Sequence, residues 1–237
     1  MGRKYLVLSA VAVVLLAATL PAAADMLLSV KCTAGEAIAV QEFQVTCNGG
    51  VADWTLPSPV DIMAGNVLLA RITELSIQTD VEPYVNLLFA VEAGATDATF
   101  DISSALVSFS PLTNPQAYAS AGVTLTSDGD GAAITGLLSG MNYQARYNGG
   151  TIYANLVAGF SIAGDDSVVR RGRTPASGYG TIYDDVSSIQ SEFNFTLSAS
   201  DQASGTSRFE VIAGVIPEPA TLSLLALGGL AMLRRRK

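Results

Sequence analysis

The chain has 237 residues, 13 of them basic and 21 acidic, with a formal net charge of −8 at pH 7 and no histidine. Without histidine, Ser-His-Asp catalysis, Cys-His catalysis and His-based zinc sites are excluded. The two terminal segments described below hold six basic residues and one acidic residue, so residues 25–216 retain 7 and 20, a net charge of −13. Such a surface repels phosphate backbones, and we expect no nucleic-acid partner.

The N-terminus has the organisation of a secretory signal. A basic start precedes the apolar run 5–20, and Ala22 and Ala24 form an A-x-A cleavage site before Asp25. We therefore predict a cleavable signal peptide at residues 1–24 and an exported protein. The alternative is a signal anchor that is never cut.

Cys32 and Cys47 are the two cysteines of the chain. In an oxidising compartment a lone pair is typical of a disulfide, and closing a loop of about 15 residues would stabilise the fold by about 3 kcal/mol. The sequence Thr33-Ala34-Gly35 also favours a tight turn, which would place Cys47 far along the second strand. We predict the disulfide and regard the simple hairpin as the less favoured alternative.

Apolar residues alternate in short segments that Gly, Asn, Asp and Ser separate, and no helical stripe appears between the terminal signals. This pattern predicts that residues 25–214 form one all-β domain, a β-sandwich or a jelly-roll-like fold. The segment 54–59 contains two prolines and is predicted as a loop or edge. The predicted strands are 26–31, 37–46, 66–78, 84–92, 99–110, 119–126, 133–138, 143–147, 151–162, 188–198 and 207–213.

Two turns suggest strand pairings. Asn148-Gly149 favours a type I′ hairpin, because both central residues of that turn need a positive φ. A second turn at 201–205 joins segments 188–198 and 207–213, whose aromatic and aliphatic residues alternate in the same way. We predict that these two segments pair with each other.

An acidic turn, Asp128-Gly129-Asp130-Gly131, resembles the start of a calcium-binding loop. The remaining ligands of such a loop do not follow, so a solvated turn is the favoured interpretation and Asp128 and Asp130 stay weak calcium candidates. We expect no cofactor and no other metal. Glycoside hydrolysis needs a pair of carboxylates, but with 20 acidic residues in 25–216 some pair is inevitable and indicates little. Because no local catalytic signature is found, we predict no enzyme and retain a secreted glycan hydrolase only as an alternative.

Tyr179 and Tyr183 flank Gly180 in a predicted loop, where exposed aromatic rings stack on sugars. They are the candidates for carbohydrate binding, and the alternative is that they pack at the edge of the core.

The one basic cluster, Arg170-Arg171-Gly172-Arg173, lies in a predicted loop from 163 to 180. It is interpreted as a solvated loop that pairs with Asp165 and Asp166. A protease-sensitive site and a docking patch for an acidic polymer are the alternatives.

The C-terminus has three parts in a fixed order. Pro217, Glu218 and Pro219 form an extended entry that cannot lie inside a helix, and the run 220–233 carries no charge. Arg234, Arg235, Arg236 and Lys237 follow, and the positive-inside rule predicts that they stay in the cytoplasm. The uncharged run has 14 residues, fewer than the roughly 20 of a lasting membrane anchor, which is the alternative.

This tail resembles the PEP-CTERM sorting signal of exported proteins in Gram-negative, exopolysaccharide-producing bacteria. The resemblance covers residues 215–237 and implies recognition by an exosortase, a membrane enzyme, at Pro217, Glu218 and Pro219. It also implies a short transmembrane helix that holds the protein in the inner membrane before processing, then a place at the cell surface or outside the cell. We expect a non-catalytic structural or biofilm-associated role, with an exopolysaccharide-binding module as the alternative.

Overall fold

The computed structural model of the protein describes residues 24–48 and 50–214, which form 17 β-strands. The first nine are β1 (Ala24–Ala34), β2 (Ala37–Cys47), β3 (Ala52–Thr55), β4 (Val60–Ala64), β5 (Val67–Asp80), β6 (Tyr84–Ala93), β7 (Ala98–Ser103), β8 (Val107–Thr113) and β9 (Gln116–Thr126). The others are β10 (Ala132–Gly136), β11 (Met141–Tyr147), β12 (Thr151–Ala158), β13 (Phe160–Ile162), β14 (Ser167–Thr174), β15 (Gly180–Thr181), β16 (Asp185–Leu197) and β17 (Gln202–Ile212).

The strands form two antiparallel sheets, an arrangement consistent with the predicted β-sandwich. Sheet one has the order β12-β11-β16-β7-β1-β2, with β8 and β10 beside β16 and β13 beside β10. Sheet two has the order β14-β9-β17-β6-β5-β3, with β15 beside β9 and β4 beside β5. β12 contacts β14 along one side, and β2 contacts β3 and β4 along the other.

The core lies between the sheets because alternate residues of each central strand are buried. At its centre the ring of Phe89 from β6 lies 4.8 Å from that of Phe193 and 5.5 Å from that of Phe195, both on β16. The buried Tyr143 hydroxyl pairs with Ser191 Oγ at 3.0 Å, and burial raises the pKa of this phenol to about 12. Sheet two therefore meets sheet one through aromatic packing, and the buried hydroxyl of Tyr143 is satisfied by its hydrogen bond with Ser191.

The Asn-Gly hairpin is confirmed. Tyr147 of β11 pairs with Thr151 of β12, and Asn148 and Gly149 have φ values of 50° and 76°. The predicted pairing of segments 188–198 and 207–213 is wrong, because β16 belongs to sheet one and β17 to sheet two. Alternating apolar residues mark the inner face of a strand, and two such strands satisfy the pattern equally well when they face each other across the core.

Other boundaries differ where the chain bends. The predicted strand 99–110 is two strands, separated where Ser104 donates its backbone N–H to Ser191 O and its Oγ accepts from Ser191 N. The predicted strand 151–162 is divided at Gly159, where an added Cβ would lie 2.8 Å from Ile134 O. Trp54, in the segment predicted as a loop or edge, lies in β3, which ends the order of sheet two, whereas β4 was not predicted as a strand.

The disulfide prediction is wrong in this structure. Cys32 pairs across the hairpin with Ala39, whereas Cys47 pairs with Ala24 at the opposite end of β1. Eight residues of extended strand separate the two positions, about 26 Å, far beyond the reach of a disulfide. Both thiols are free and buried, and burial raises the pKa of Cys32 to about 11. The tight turn at Gly35 decides the register and excludes the bond.

Candidate functional site

The candidate site lies on the outer face of sheet two, where β9 runs between β14 and β17. Alternate residues of β9 are buried, so the intervening ones point away from the core. Two outward rows cross the three strands, Arg173–Ser120–Arg208 and Arg171–Gly122–Thr206. Three arginines therefore surround a strip of small side chains.

This arrangement forms a groove of about 570 Å³, which we call the arginine groove. It is lined by Ser120, Ala121, Gly122, Arg171, Gly172, Arg173, Thr206, Ser207 and Arg208. None of these lining residues carries a carboxylate, although acidic residues outnumber basic ones 20 to 7 across residues 25–216. The groove is thus a basic surface on a strongly acidic protein.

Two of the three arginines are held in place. Arg208 donates from Nε to Glu210 Oε2 at 2.6 Å and from Nη1 to Asn86 at 3.3 Å, and its guanidinium lies 4.1 Å from the centroid of the Tyr84 ring. Arg173 lies 4.7 Å from the centroid of the Tyr118 ring and donates to two carbonyl oxygens of the following loop. Such contacts fix the guanidinium groups and leave some of their five N–H groups able to donate to a ligand.

Arg171 differs from the other two. It is exposed, and its side chain has no ion pair and no hydrogen bond within residues 24–48 and 50–214. Across the ladder lies Gly122, where an added Cβ would be 3.4 Å from Arg171 Cγ. The glycine leaves room for the arginine side chain to lie along the floor of the groove, with its five N–H donors available to a ligand.

Tyrosines border the groove. Tyr179 donates to Glu210 Oε1 at 2.8 Å, and its ring meets that of Tyr118 edge-on at 5.1 Å. This hydrogen bond to a carboxylate raises the pKa of Tyr179. The other candidate, Tyr183, is 90% exposed. Tyr179 therefore lies at the border of the arginine groove. No hydrogen bond or ring contact among the described residues joins Tyr183 to the groove.

The arginine cluster lies on a strand, not in the predicted loop. Arg170, Arg171 and Arg173 belong to β14, which pairs along its length with β9. The predicted ion pairs with Asp165 and Asp166 do not form, since the three ion pairs among the described residues use Arg71, Arg146 and Arg208. Strand geometry sends Arg171 and Arg173 to one face and Arg170 to the other, so the cluster is divided.

The two calcium candidates gain a third carboxylate. Asp128, Asp130 and Asp201, the acidic cluster, each place one oxygen within 4.8 Å of the others. Asp201 is buried, and its oxygens accept from Asp128 N and Ser198 Oγ. The charge of Asp128 raises the pKa of the exposed Asp130. Asp201 was not predicted as a member of this cluster, because only the fold brings residue 201 beside residue 128.

The acidic cluster offers the type of ligand that calcium prefers, but fewer ligands than the ion takes. Carboxylate oxygens are the ligands that calcium prefers, and the ion takes about six to eight of them. The cluster offers three carboxylates, one of them already hydrogen-bonded on both oxygens. Asp128 and Asp130 therefore remain weak calcium candidates, with Asp201 as a candidate third ligand.

The sorting and cleavage residues fall mostly outside the described part of the chain. Pro217, Glu218, Pro219 and the basic tail 234–237 lie there, as does Ala22 of the cleavage site. Ala24 and Asp25 open β1, where their backbones pair with Cys47 and Thr46. Within residues 24–48 and 50–214 no helix is long and apolar enough to cross a membrane, and the predicted helix at 220–233 lies beyond them.

Comparison with known families identifies the tail. Residues 215–237 match a family model described as the PEP-CTERM protein-sorting motif. The chain therefore carries a PEP-CTERM sorting signal, which implies export to the cell surface and processing by an exosortase. This confirms the resemblance inferred from the Pro-Glu-Pro step, the apolar run and the basic end.

Comparisons of the whole chain add little. No match was found among curated proteins. A solved structure of the infectious bursal disease virus Gx strain is similar at 10% identity with a TM-score of 0.27. The similarity covers 84% of this chain and 59% of the viral chain, so the protein spans less than two thirds of that chain's length.

Proposed function

We propose that the protein is an exosortase substrate of the cell surface whose β-domain has a non-catalytic structural role in the extracellular matrix. The observation that carries the proposal is the sorting motif at residues 215–237. A chain that ends in this signal is delivered and processed as a unit, so its work is done outside the cytoplasm.

The route to the surface follows from the physical character of the two ends. The apolar start of the chain would direct export and be removed before Asp25. The run 220–233 would hold the protein in the inner membrane, with the basic tail 234–237 on the cytoplasmic side. Because this run is short for a bilayer, the membrane stage is transient and ends when the exosortase acts near Pro217.

Composition supports a role without catalysis. The chain has no histidine, and residues 25–216 contain only one lysine, Lys31, so mechanisms that need histidine are excluded and a lysine Schiff base is disfavoured. A net charge of −13 on the same residues keeps an exported domain soluble at high local concentration.

Glu218→Ala tests the sorting step. The variant should be exported normally but remain in the inner-membrane fraction, because the exosortase no longer recognises the tail. Cell fractionation and immunoblotting of the native host would show the shift. Ser223→Ala is the matched control, since it changes the tail but leaves the Pro-Glu-Pro step intact. Surface release of Glu218→Ala at the level of the control would contradict the sorting assignment.

A carbohydrate-binding module is the second candidate, favoured by one observation. The half-exposed ring of Tyr179 is fixed by Glu210 and Tyr118 at the border of the arginine groove, as a rigid sugar-stacking platform would be. On a glycan array the protein should bind, and Tyr179→Ala should lose binding while Tyr183→Ala retains it. Equal binding by Tyr179→Ala would contradict a role for this platform.

A further inference from the structure

The basic residues of the protein are distributed unevenly over its surface. Three of the seven in residues 25–216 line the arginine groove, and none of the 20 acidic residues does. From this segregation we propose that the arginine groove binds an acidic polysaccharide, whose carboxylate or sulfate groups pair with Arg171 and Arg173, while Arg208, whose charge is balanced by Glu210, offers its remaining N–H donors. The proposal rests on the carbohydrate-binding candidate above and names its ligand class.

The anionic part of the ligand is argued from Arg171. An exposed guanidinium without an ion pair among the described residues, beside two that are already held in place, is a preformed site for a carboxylate or sulfate. The acidic surface elsewhere does not prevent this, since interactions between exposed charges are screened beyond about 8 Å at physiological ionic strength. Glu210, the nearest acid in the network, is neutralised by Arg208.

The spacing of the three arginines and the hydroxyl groups on the floor of the groove indicate a ligand that is a polymer of sugars. Arg171 and Arg173 are two residues apart on β14, about 7 Å, and Arg208 lies two strands from Arg173, about 10 Å. Charges at such intervals suit a linear polymer with one acidic group on every sugar or every second sugar. The hydroxyls of Ser120 and Thr206 offer hydrogen bonds to sugar hydroxyls.

Two other polyanions fit less well. Double-stranded DNA carries one charge per about 1.7 Å of its axis, a much closer spacing than the roughly 7 to 10 Å between the arginines of the groove. An acidic peptide has no sugar ring to stack on Tyr118 and Tyr179, whose own rings lie 5.1 Å apart. The acidic peptide becomes an outcome of the test, in which polyglutamate represents it.

The experiment uses the full chain, purified in a mild detergent, and measures binding by isothermal titration calorimetry. The probes are dextran sulfate with unmodified dextran as its neutral partner, polygalacturonate, and polyglutamate as an acidic polymer without sugars. We expect both acidic polysaccharides to bind, dextran to bind far more weakly, and affinity to fall with added salt. Arg171→Gln should weaken binding at least about tenfold, the loss of a charge-assisted hydrogen bond.

Arg71→Gln is the matched control. Arg71 is an exposed arginine of sheet two that pairs with Asp61 at 2.6 Å and does not line the groove. It should bind the polysaccharides as the unmodified protein does, and urea denaturation of both variants checks that they are folded. Equal affinities for Arg71→Gln and Arg171→Gln would overturn the proposal, as would polyglutamate binding as tightly as the acidic polysaccharides.

The outcomes separate this inference from the proposals that precede it. If dextran bound as tightly as dextran sulfate, the acidic ligand class would be wrong while the carbohydrate-binding candidate stood. If none of the polysaccharides bound, the acidic-polysaccharide proposal would be wrong, and the glycan array would decide the carbohydrate-binding candidate separately. Neither result would affect the sorting assignment, which Glu218→Ala tests independently.

Discussion

The acidic cluster and the arginine groove both gather three like charges, but the protein holds them in different ways. In the acidic cluster a turn brings Asp128 and Asp130 together, and the buried Asp201 is used by hydrogen bonds from its neighbours. In the arginine groove the register of three strands sets the charges apart and leaves Arg171 without a partner among the described residues. The first is largely a structural contact, whereas the second is an exposed surface available to a ligand.

The two regions share one element. Asp201 directly precedes β17, and Arg208 lies within it, so this strand completes both groups. Between them lies Gly205, which faces the core and is packed against the Phe89 ring. A displacement of β17 should therefore disturb both regions at once.

Gly205→Ala should have the largest effect. The added Cβ would lie 2.7 Å from Phe89 Cζ, closer than van der Waals contact allows, so either the ring or β17 must move. We expect a loss of about 3 kcal/mol in the free energy of unfolding, measured by urea denaturation.

Gly150→Ala is its control, because no heavy atom lies within 4 Å of a Cβ added there. It should change the free energy of unfolding by less than about 0.5 kcal/mol. Equal effects of the two substitutions would show that β17 is not packed as described.

Asp201→Ala should have the next largest effect, since it tests whether the acidic cluster is structural. The change leaves the Asp128 backbone N–H and the Ser198 hydroxyl without their acceptor in a part-buried site. We expect a loss of about 2 kcal/mol in the free energy of unfolding, measured in the presence of EDTA. Asp128→Ala, at an exposed position whose backbone N–H is retained, should cost much less. Similar losses for both would contradict the structural interpretation.

Asp130→Asn should have a small effect that depends on pH. The charge of Asp128 raises the pKa of Asp130 in the folded protein, so the folded state binds a proton more readily than the unfolded state does. Asp130 therefore favours folding below its ordinary pKa of 3.8, and this contribution is lost as the pH rises through its folded value. The variant should be slightly more stable than the unmodified protein at neutral pH and show no gain below 3.8.

Calcium reverses the expectation for Asp130→Asn if the acidic cluster binds the ion. A bound cation would favour the charged carboxylate, so in calcium the substitution should destabilise the protein. Asp165→Asn, at an exposed aspartate outside the cluster, is the control and should not become destabilising when calcium is added. A gain for Asp130→Asn that is the same at all pH values would contradict the repulsion.

The sequence allowed much of the strand content to be predicted, because alternation directly reports which residues face the core. The strands β5, β6 and β9 and the Asn148-Gly149 hairpin are examples in which local pattern and turn chemistry agree. Alternation does not report which strand lies next to which. For that reason β16 and β17 were predicted to pair, although they face each other from opposite sheets.

The candidate site was less predictable for the same physical reason. The arginines of β14 were visible as a cluster, but a loop was predicted there, and Arg208 becomes their neighbour only through the pairing of β17 with β9. For the cysteines the local turn was the reliable signal, and the expectation drawn from the compartment was wrong. Compartment suggested a disulfide between Cys32 and Cys47, and the local turn at Gly35 set a register that keeps them apart.

The most direct test of the central claim is the intact mass of the protein from the envelope and the medium of its native host. Sorting by an exosortase predicts a mass for a chain that starts at Asp25 and ends near Pro217, with or without an added glycan. A mass that still includes the tail 234–237 in the surface fraction would contradict the account and would indicate a protein that stays anchored in the membrane.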